Sequence, residues 1–453
     1  MITIQAPPSK SVSHRMVMAA ALASGVSVVE RVLESKDLER TLAILAAAGA
    51  DIRRENPGTY RIRGVAGVPR GGNDAPLSCD VHESGTTCRL LTAVLAAGAG
   101  RFRIHGAPRM HERPLGELCE ALETLGVSLA FEGRPGYPPL VLSTRGLAPA
   151  ADGSPCRIGL GESSQYLSGL LLAAPLAQGP LTLEISGDKV VSWPYVGLTL
   201  QTLELFGVPF SVETRAPGTA AKAAWQSADW RGLSEVRPGG IRFRMQPADY
   251  RAGMYAAEGD WSGASYFLAA GAVGRAPVRV EGLNTTSLQG DRAMLDILRR
   301  MGAHVEAEAA AVTVFPSALH GIDVDMGACP DLVPTVAVLA AHAEGMTRVR
   351  NVAHLRIKES DRIAAPAGEL ARIGVRTREY PDGLEVYGAG RPPFPTCPAS
   401  DETPRFSSHG DHRMAMSLAL LELYGRRIEL DDPACVSKSF PTFWDEWSRV
   451  RGQ

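Results

Sequence analysis

Long apolar runs, paired cysteines and a dominant charge are all missing from this sequence. The most apolar stretches, such as Tyr166 to Ala177, are too short to cross a bilayer. Residues Met1 to Lys10 run straight into polar chain with no basic-then-apolar leader, which reads as no secretory signal. The seven cysteines are odd in number, scattered and without a C-x-x-C pair, so neither a zinc ribbon nor a disulfide framework is indicated. Reduced thiols in a cytoplasm are the simple expectation. A formal net charge of -2 points to no nucleic-acid or anionic-membrane partner, so any anion site must be built locally. There is no G-x-x-x-x-G-K-[ST] loop, no G-x-G-x-x-G after a strand and no G-x-S-x-G elbow. Lysine is scarce as well: only six of the 47 basic residues are lysines. Three of the six (Lys10, Lys358 and Lys438) lie inside polar clusters, where a compact ammonium differs in use from a guanidinium.

What the chain has is a repeat. Six segments run from polar or charged residues through an apolar helix-like stretch to glycine: Lys10–Gly25, Glu83–Gly98, Glu162–Gly179, Asp260–Gly274, Pro330–Gly345 and Asp411–Gly425. Their closing glycines are 73, 81, 95, 71 and 80 residues apart, about one supersecondary unit each. In five units a second helix follows and stops at a glycine suited to a left-handed C-cap: Gly49, Gly126, Gly207, Gly302 and Gly374. Alternation then predicts a hairpin, as around an Asp382-Gly383 turn. Each unit therefore reads as strand, helix, strand, helix, strand, strand. Six units divide most simply three and three, with the boundary near Gly253 to Gly259, after the small-residue-rich segment Ala216 to Ala228.

The first turns of the apolar helices are unusually polar. Helix N-termini present unpaired N–H groups and partial positive charge, which suit phosphate or carboxylate. Ser9, Lys10, Ser11 and Arg15 open the first, Ser84 to Thr87 with Arg89 the second, Ser163, Ser164 and Gln165 the third, and Asp411, His412 and Arg413 the sixth. Ordinary N-capping accounts for Ser, Thr and Asp here. It does not account for Lys10, Arg15, Arg89 and Arg413 beside the caps. Two further clusters are Arg109 to Pro114, with two arginines before a helix, and Arg356 to Arg362, with three cations and two carboxylates in seven residues. The second fits a solvated, salt-bridged helix face. It equally fits a lysine–carboxylate pair placed for acid/base chemistry on an anionic substrate. His409 and His412 have a spacing open to metal ligation, but the adjacent Arg413 would repel a cation, and no metal site is expected.

At these residues the chain resembles the 5-enolpyruvylshikimate-3-phosphate synthase family, in order and over essentially its whole length. The motifs are Pro8 to Arg15, Ser84 to Arg89, Gly106 to Pro114, Ser163 to Leu167, Glu258 to Asp260, Pro330-Asp331, Lys358 to Arg362, Asp411 to Met416 and Lys438 to Pro441. The resemblance implies the α/β enolpyruvyl transferase fold, an inside-out α/β prism of two similar domains, each of three βαβαββ units, closing over the substrates. The domains would be 10–256, mainly the shikimate 3-phosphate side, and 1–9 with 257–453, with a hinge near Pro8 and Glu258. It implies a cytoplasmic, monomeric shikimate-pathway transferase without cofactor, metal, nucleic-acid or membrane partner. In the implied reaction the 5-hydroxyl of shikimate 3-phosphate adds to phosphoenolpyruvate and phosphate leaves.

By the same resemblance, Asp331, Glu359 and Lys10 are catalytic. Lys10, Ser11, Arg15, Ser163, Ser164, Gln165, Ser192, Tyr195, Asp331 and Lys358 are shikimate 3-phosphate ligands. Lys10, Gly85, Arg113, Gln165, Arg362, Arg413 and Lys438 are phosphoenolpyruvate ligands. The chain departs from the family at Pro8, Glu83, Leu90, Trp193 and His354. The nearest alternatives are the sister transferase acting on UDP-N-acetylglucosamine, which uses a loop cysteine absent from Arg109 to Arg113, and a non-catalytic anion-binding protein on the same scaffold.

Overall fold

The computed structural model describes residues 1–215, 224–233, 236–390, 403–424 and 427–452. Part of the small-residue segment after Thr214 and the repeat-closing Gly425 lie outside the described residues. The chain divides into two compact units, Lys10–Ala257 and Met1–Ser9 with Glu258–Gln453. No helix among the described residues is long and apolar enough to cross a membrane.

In the Lys10–Ala257 unit one sheet pattern recurs three times. In each a parallel pair, joined through a helix in the second and third sheets, is accompanied by an antiparallel hairpin whose last strand inserts beside the second strand. The second sheet orders Leu77–Asp80, Ala99–His105, Leu140–Arg145 and Ser128–Phe131. The third orders Cys156–Leu160, Leu181–Val190, Ile241–Met245 and Phe210–Thr214, with Gln226–Ser227 added at the edge. The first borrows its leading strand from the far end of the unit: Met254–Ala256 lies parallel to Val26–Glu30, with Met254 opposite Val28.

The other unit mirrors that device. Its first sheet is led by the N-terminal strand Ile2–Gln5, parallel to Val278–Glu281, with Ile2 opposite Val278. Its second sheet orders Asp323–Asp325, Glu344–Arg350, Gly383–Ala389 and Arg376–Tyr380. The third is reduced to the parallel pair Arg405–Phe406 and Glu429–Leu430. Among the described residues no hairpin follows it, so the sixth unit departs from the pattern read in the sequence. It does carry a second helix, Phe443–Arg451, that the glycine signal did not mark.

The inner helices are apolar on every side because they are enclosed on every side. All residues of Trp261–Val273 and Val333–His342 are buried, and Gly85–Ala96 is buried except at Thr86. The outer helices Lys36–Ala47 and Ala364–Arg372 bury one face only. The five expected C-cap glycines all have positive φ, from 72° at Gly207 to 114° at Gly49. At Gly126 the φ of 83° lets its N–H reach Glu123 O and the next N–H, from Val127, reach Leu122 O, the paired bonds of a Schellman stop. The expected Asp382-Gly383 turn is displaced by one residue: Tyr380 pairs with Gly383, so Pro381 and Asp382 make the turn. Gly383 serves close packing instead, since a Cβ there would lie 2.0 Å from Val349 O.

Candidate active site

The unit containing Glu258 concentrates its charges on the ends of its inner helices. Asp331 lies in the turn Pro330–Leu332 leading into Val333–His342, and Arg413 in the first turn of His412–Leu418. Arg362 is 2% exposed and reaches three carboxylates. It donates to Asp331 Oδ1 at 2.8 Å, to Glu359 Oε2 at 3.0 Å and to Asp411 Oδ2 and Oδ1 at 2.7 and 3.1 Å. Arg413 closes the other side, donating to Asp331 Oδ2 at 2.8 Å and to the hydroxyls of Ser262 and Tyr266. Lys438 Nζ is 3.6 Å from Glu359 Oε1. Its position is anchored two residues on, where Phe440 packs at 5.9 Å from Phe267 and 5.7 Å from Phe443.

Burial works to raise the Asp331 pKa, but Arg413, Arg362 and Lys358 outweigh it and hold the carboxyl at about 2. Asp411, fully buried, is likewise held low by Arg362 against the pull of burial. For Arg362 burial acts to lower the pKa, and Asp411, Glu359 and Asp331 reverse it, so the guanidinium is raised above its usual value. The cluster is thus fully ionised at neutral pH at these three residues.

Arg356 to Arg362 face two ways. No helix covers the stretch: it runs from the short turn Ala353–Ile357 to the helix Ala364–Arg372. Arg356 pairs with Asp361 at 2.7 Å on a partly exposed surface, and Asp361 Oδ1 caps the helix by accepting from Ile363 and Ala364 N–H. Glu359, Ser360 and Arg362 turn the other way, into the cluster, with Ser360 Oγ donating to Asp411 at 2.9 Å. His409 and His412 part company: His409 Nε2 meets Glu369 Oε1 at 3.1 Å, whereas His412 is buried with Nδ1 3.6 Å from Asp411.

In the Lys10–Ala257 unit the polar first turns also gather. Lys10 pairs with Asp37, on the first turn of Lys36–Ala47. Arg15 is 1% exposed and donates to neutral oxygens: Thr199 Oγ1 at 2.8 Å, Ser11 O at 2.8 Å, Tyr195 O at 2.9 Å and Ser168 Oγ at 3.3 Å. Burial lowers its pKa to about 10, and only weak help comes from Tyr195. Gln165 donates to Thr86 Oγ1 at 3.0 Å and accepts from Arg89 at 3.4 Å, which fixes its amide between two helix starts. Ser163 accepts from Gln165 N–H at 3.2 Å, and Ser164 is buried beside it. Ser192 is a buried non-glycine residue with φ 54°, a conformation that surrounding structure must impose. Arg113 donates to Glu83 O at 3.3 Å and lies flat against Gly85: a Cβ on Gly85 would be 2.5 Å from Arg113 Nη2. Arg109 of the same loop instead makes an exposed pair with Glu112.

Beneath this surface His14, Thr41, Thr87 and Ser84 form a buried hydrogen-bonded chain at 2.9, 2.8 and 2.6 Å. Burial, then Lys10 and Arg15, outweigh Asp37 and lower the His14 pKa to about 3, so its ring is neutral.

Sequence reasoning missed Asp37, which looks like any acidic residue in a helix first turn. It also treated Asp411 only as part of a helix start. Asp411 does cap that helix, accepting from Arg413 N–H at 2.9 Å, but it is at the same time the deepest carboxylate of the cluster. Trp193, a departure from the family pattern, is buried, with its indole N–H donated to Leu233 O at 2.8 Å and its ring 6.4 Å from Phe243.

Compared with known families, residues 2–224 and 235–447 match the one described as EPSP synthase (3-phosphoshikimate 1-carboxyvinyltransferase). The 3-phosphoshikimate 1-carboxyvinyltransferase of Thiobacillus denitrificans (strain ATCC 25259 / T1) is 38% identical, over 99% of this chain and 96% of the relative. That of Ralstonia pickettii (strain 12J) is 36% identical over the same shares. Among solved structures, an EPSP synthase from Acinetobacter baumannii superposes with a TM-score of 0.73 at 25% identity, covering 99% of this chain and 95% of that one. The enolpyruvyl transferase NikO from Streptomyces tendae shares the fold, with a TM-score of 0.70 at 19% identity over 99% of this chain and 94% of that one.

Proposed function

We propose, from the premise that the chain belongs to the EPSP synthase (3-phosphoshikimate 1-carboxyvinyltransferase) family, that it transfers the enolpyruvyl group of phosphoenolpyruvate to the 5-hydroxyl of shikimate 3-phosphate. The arrangement that carries this reading is Arg362 with Asp331, Glu359 and Asp411, flanked by Arg413 and Lys438. It combines cations for anionic oxygens with carboxylates able to exchange protons. The family matches support the shikimate substrate over a UDP-sugar.

Two carboxylates share the proton traffic. As the 5-oxygen bonds to C2 of phosphoenolpyruvate, its proton passes to Asp331 while C3 gains a proton. In the second step C3 gives up a proton, the C2–O bond to phosphate breaks, and inorganic phosphate leaves. An Asp331 pKa of about 2 makes a weak base. Phosphate and carboxylate groups arriving at Arg413 and Arg362 draw on the same positive charge, which raises that pKa and improves the base when substrate is present. Glu359, between Arg362 and Lys438, exchanges the C3 proton, with Lys10 as an acid partner.

Shikimate 3-phosphate is held by Lys10, Ser11, Arg15, Ser163, Ser164, Gln165, Ser192 and Tyr195, with Asp331 and Lys358. Phosphoenolpyruvate is held by Lys10, Gly85, Arg113, Gln165, Arg362, Arg413 and Lys438. The domain division follows the two compact units, and the protein works as a cytoplasmic monomer. Phosphate release should require both substrates together. Release with UDP-N-acetylglucosamine in place of shikimate 3-phosphate, or no release with the proposed pair, would overturn the reading.

A further inference from the structure

Two short segments, Pro7 to Ser9 and Glu258 to Asp260, carry the chain out of and into the Glu258–Gln453 unit. They run antiparallel, with Pro8 opposite Gly259. Ser9 N–H donates to Glu258 O at 2.7 Å and Asp260 N–H to Pro7 O at 2.8 Å. There is no space for a side chain at Gly259, where a Cβ would lie 2.2 Å from Gly282 O. One side chain is bonded to both segments. Gln289 is 7% exposed, and its amide fills every hydrogen-bonding position it has. Nε2 donates to Glu258 Oε1 and to Gly259 O, both at 2.8 Å. Oε1 accepts from Ser9 Oγ at 3.1 Å and from Trp261 N–H at 3.2 Å. The Glu258 carboxylate is further fixed by Asn284 at 3.0 Å and Ser287 at 2.6 Å.

The next residues along the chain give this clamp its meaning. Ser9 precedes Lys10, the first residue of its helix. Trp261 precedes Ser262, whose hydroxyl receives Arg413. We infer that Gln289 is a positioning residue for enolpyruvyl transfer, fixing through one amide the chain that delivers Lys10 and the seat of Arg413. The inference rests on the function proposed above. Only an amide supplies two donors and two acceptors at this point: glutamate loses both donors and adds a charge beside Glu258, and leucine supplies no partner at all.

The test compares Gln289→Leu, Gln289→Glu and Ser9→Ala with the wild type, well below each melting temperature, with kcat expressed per folded molecule. Gln289→Leu should lower kcat roughly tenfold or more, because small displacements of reacting groups are costly. It should raise KM for phosphoenolpyruvate and also weaken shikimate 3-phosphate binding, since Lys10 is assigned to both substrates. Gln289→Glu should not rescue it, and Ser9→Ala should lose less. Combined with Lys10→Arg, the loss should be smaller than the product of the single losses, as for residues acting through one another. A kcat within about twofold of wild type, or multiplicative losses in the pair, overturns the inference. If Gln289→Leu does not fold, Ser9→Ala decides, since it removes one hydroxyl: an unchanged kcat rejects the clamp. A wild type that does not turn over defeats the proposed function itself, whereas active wild type and equally active variants defeat only the role of Gln289.

Discussion

Arg15 and Arg362 are buried alike, at 1% and 2% exposure, yet their charges are met in opposite ways. Arg15 faces hydroxyls and backbone carbonyls, and burial lowers its pKa to about 10. Arg362 faces three carboxylates, and its pKa rises despite burial. A buried cation with neutral ligands is one unit of charge short of balance, which is what a receptor for a fixed anion needs. A cation shared among carboxylates is balanced already, and an incoming anion shifts where protons reside rather than simply adding charge. Under the proposed function the comparison becomes a division of labour: one unit offers uncompensated positive charge for holding a substrate, the other a balanced cluster for moving protons.

The strongest way to break that comparison is Arg362→Met. It leaves Asp331, Glu359 and Asp411 crowded without their shared cation, and the loss of a buried ionic partner costs about 3–5 kcal/mol. Urea unfolding should show a loss of that size, with partial recovery when Asp411→Asn is added. A loss below about 1 kcal/mol would mean the carboxylates do not depend on Arg362.

Arg15→Gln is the counterpart in the other unit. No carboxylate is stranded, so unfolding should change far less than for Arg362→Met. Titration calorimetry should instead show shikimate 3-phosphate bound roughly tenfold to a hundredfold more weakly, the worth of a hydrogen bond to a charged group. Unchanged affinity would remove Arg15 from the binding set.

Gly85→Ala sharpens the picture within one pocket. The new methyl would press on Arg113 Nη2, Cζ and Nη1 at 2.5 to 2.7 Å, so the guanidinium must move. Steady-state kinetics should show a several-fold rise in KM for phosphoenolpyruvate and a smaller one for shikimate 3-phosphate. Equal rises would contradict the assignment of Arg113.

His14→Asn should cost a pH-independent amount through the lost bond to Thr41, and change the pH profile only in acid. The folded pKa is about 3 against an unfolded value of 6.5, so the unfolded chain binds the proton first and stability falls as pH drops from 6.5 toward 3. Asparagine does not titrate, so the variant should lose up to about 1.4 kcal/mol less per pH unit in that window. Parallel pH profiles for variant and wild type would show that His14 is not the group responsible. Asp331 acts lower: its stabilisation is present above about 3.8 and is lost as pH falls toward 2.

How much was legible follows the same physics. The inner helices were visible because enclosure demands apolar residues on all sides. The C-caps of the second helices were visible because positive φ selects glycine, as at Gly126. Gly383 misled because glycine also serves where backbones approach closely, and sequence does not separate the two causes. The exchanged strands Ile2–Gln5 and Met254–Ala256 were hidden as structure, being short and paired with partners more than 200 residues away. Lys10, Asp331, Glu359 and Arg362 stood out by charge density and resemblance. Asp37 and Gln289 did not, since each is an ordinary residue until the chain brings its partners to it.

The division of labour is tested most directly on Glu359→Gln, by measuring kcat and the Kd for shikimate 3-phosphate on the same preparation. The amide keeps the shape beside Arg362 and Lys438 but cannot exchange a proton. kcat should fall by roughly 10²–10⁴-fold, the range of general acid/base groups, with shikimate 3-phosphate bound almost as tightly as by the wild type. If instead kcat stays within a few fold and KM rises for both substrates, Glu359 only holds its neighbouring cations, and the assignment of proton transfer to this cluster is wrong.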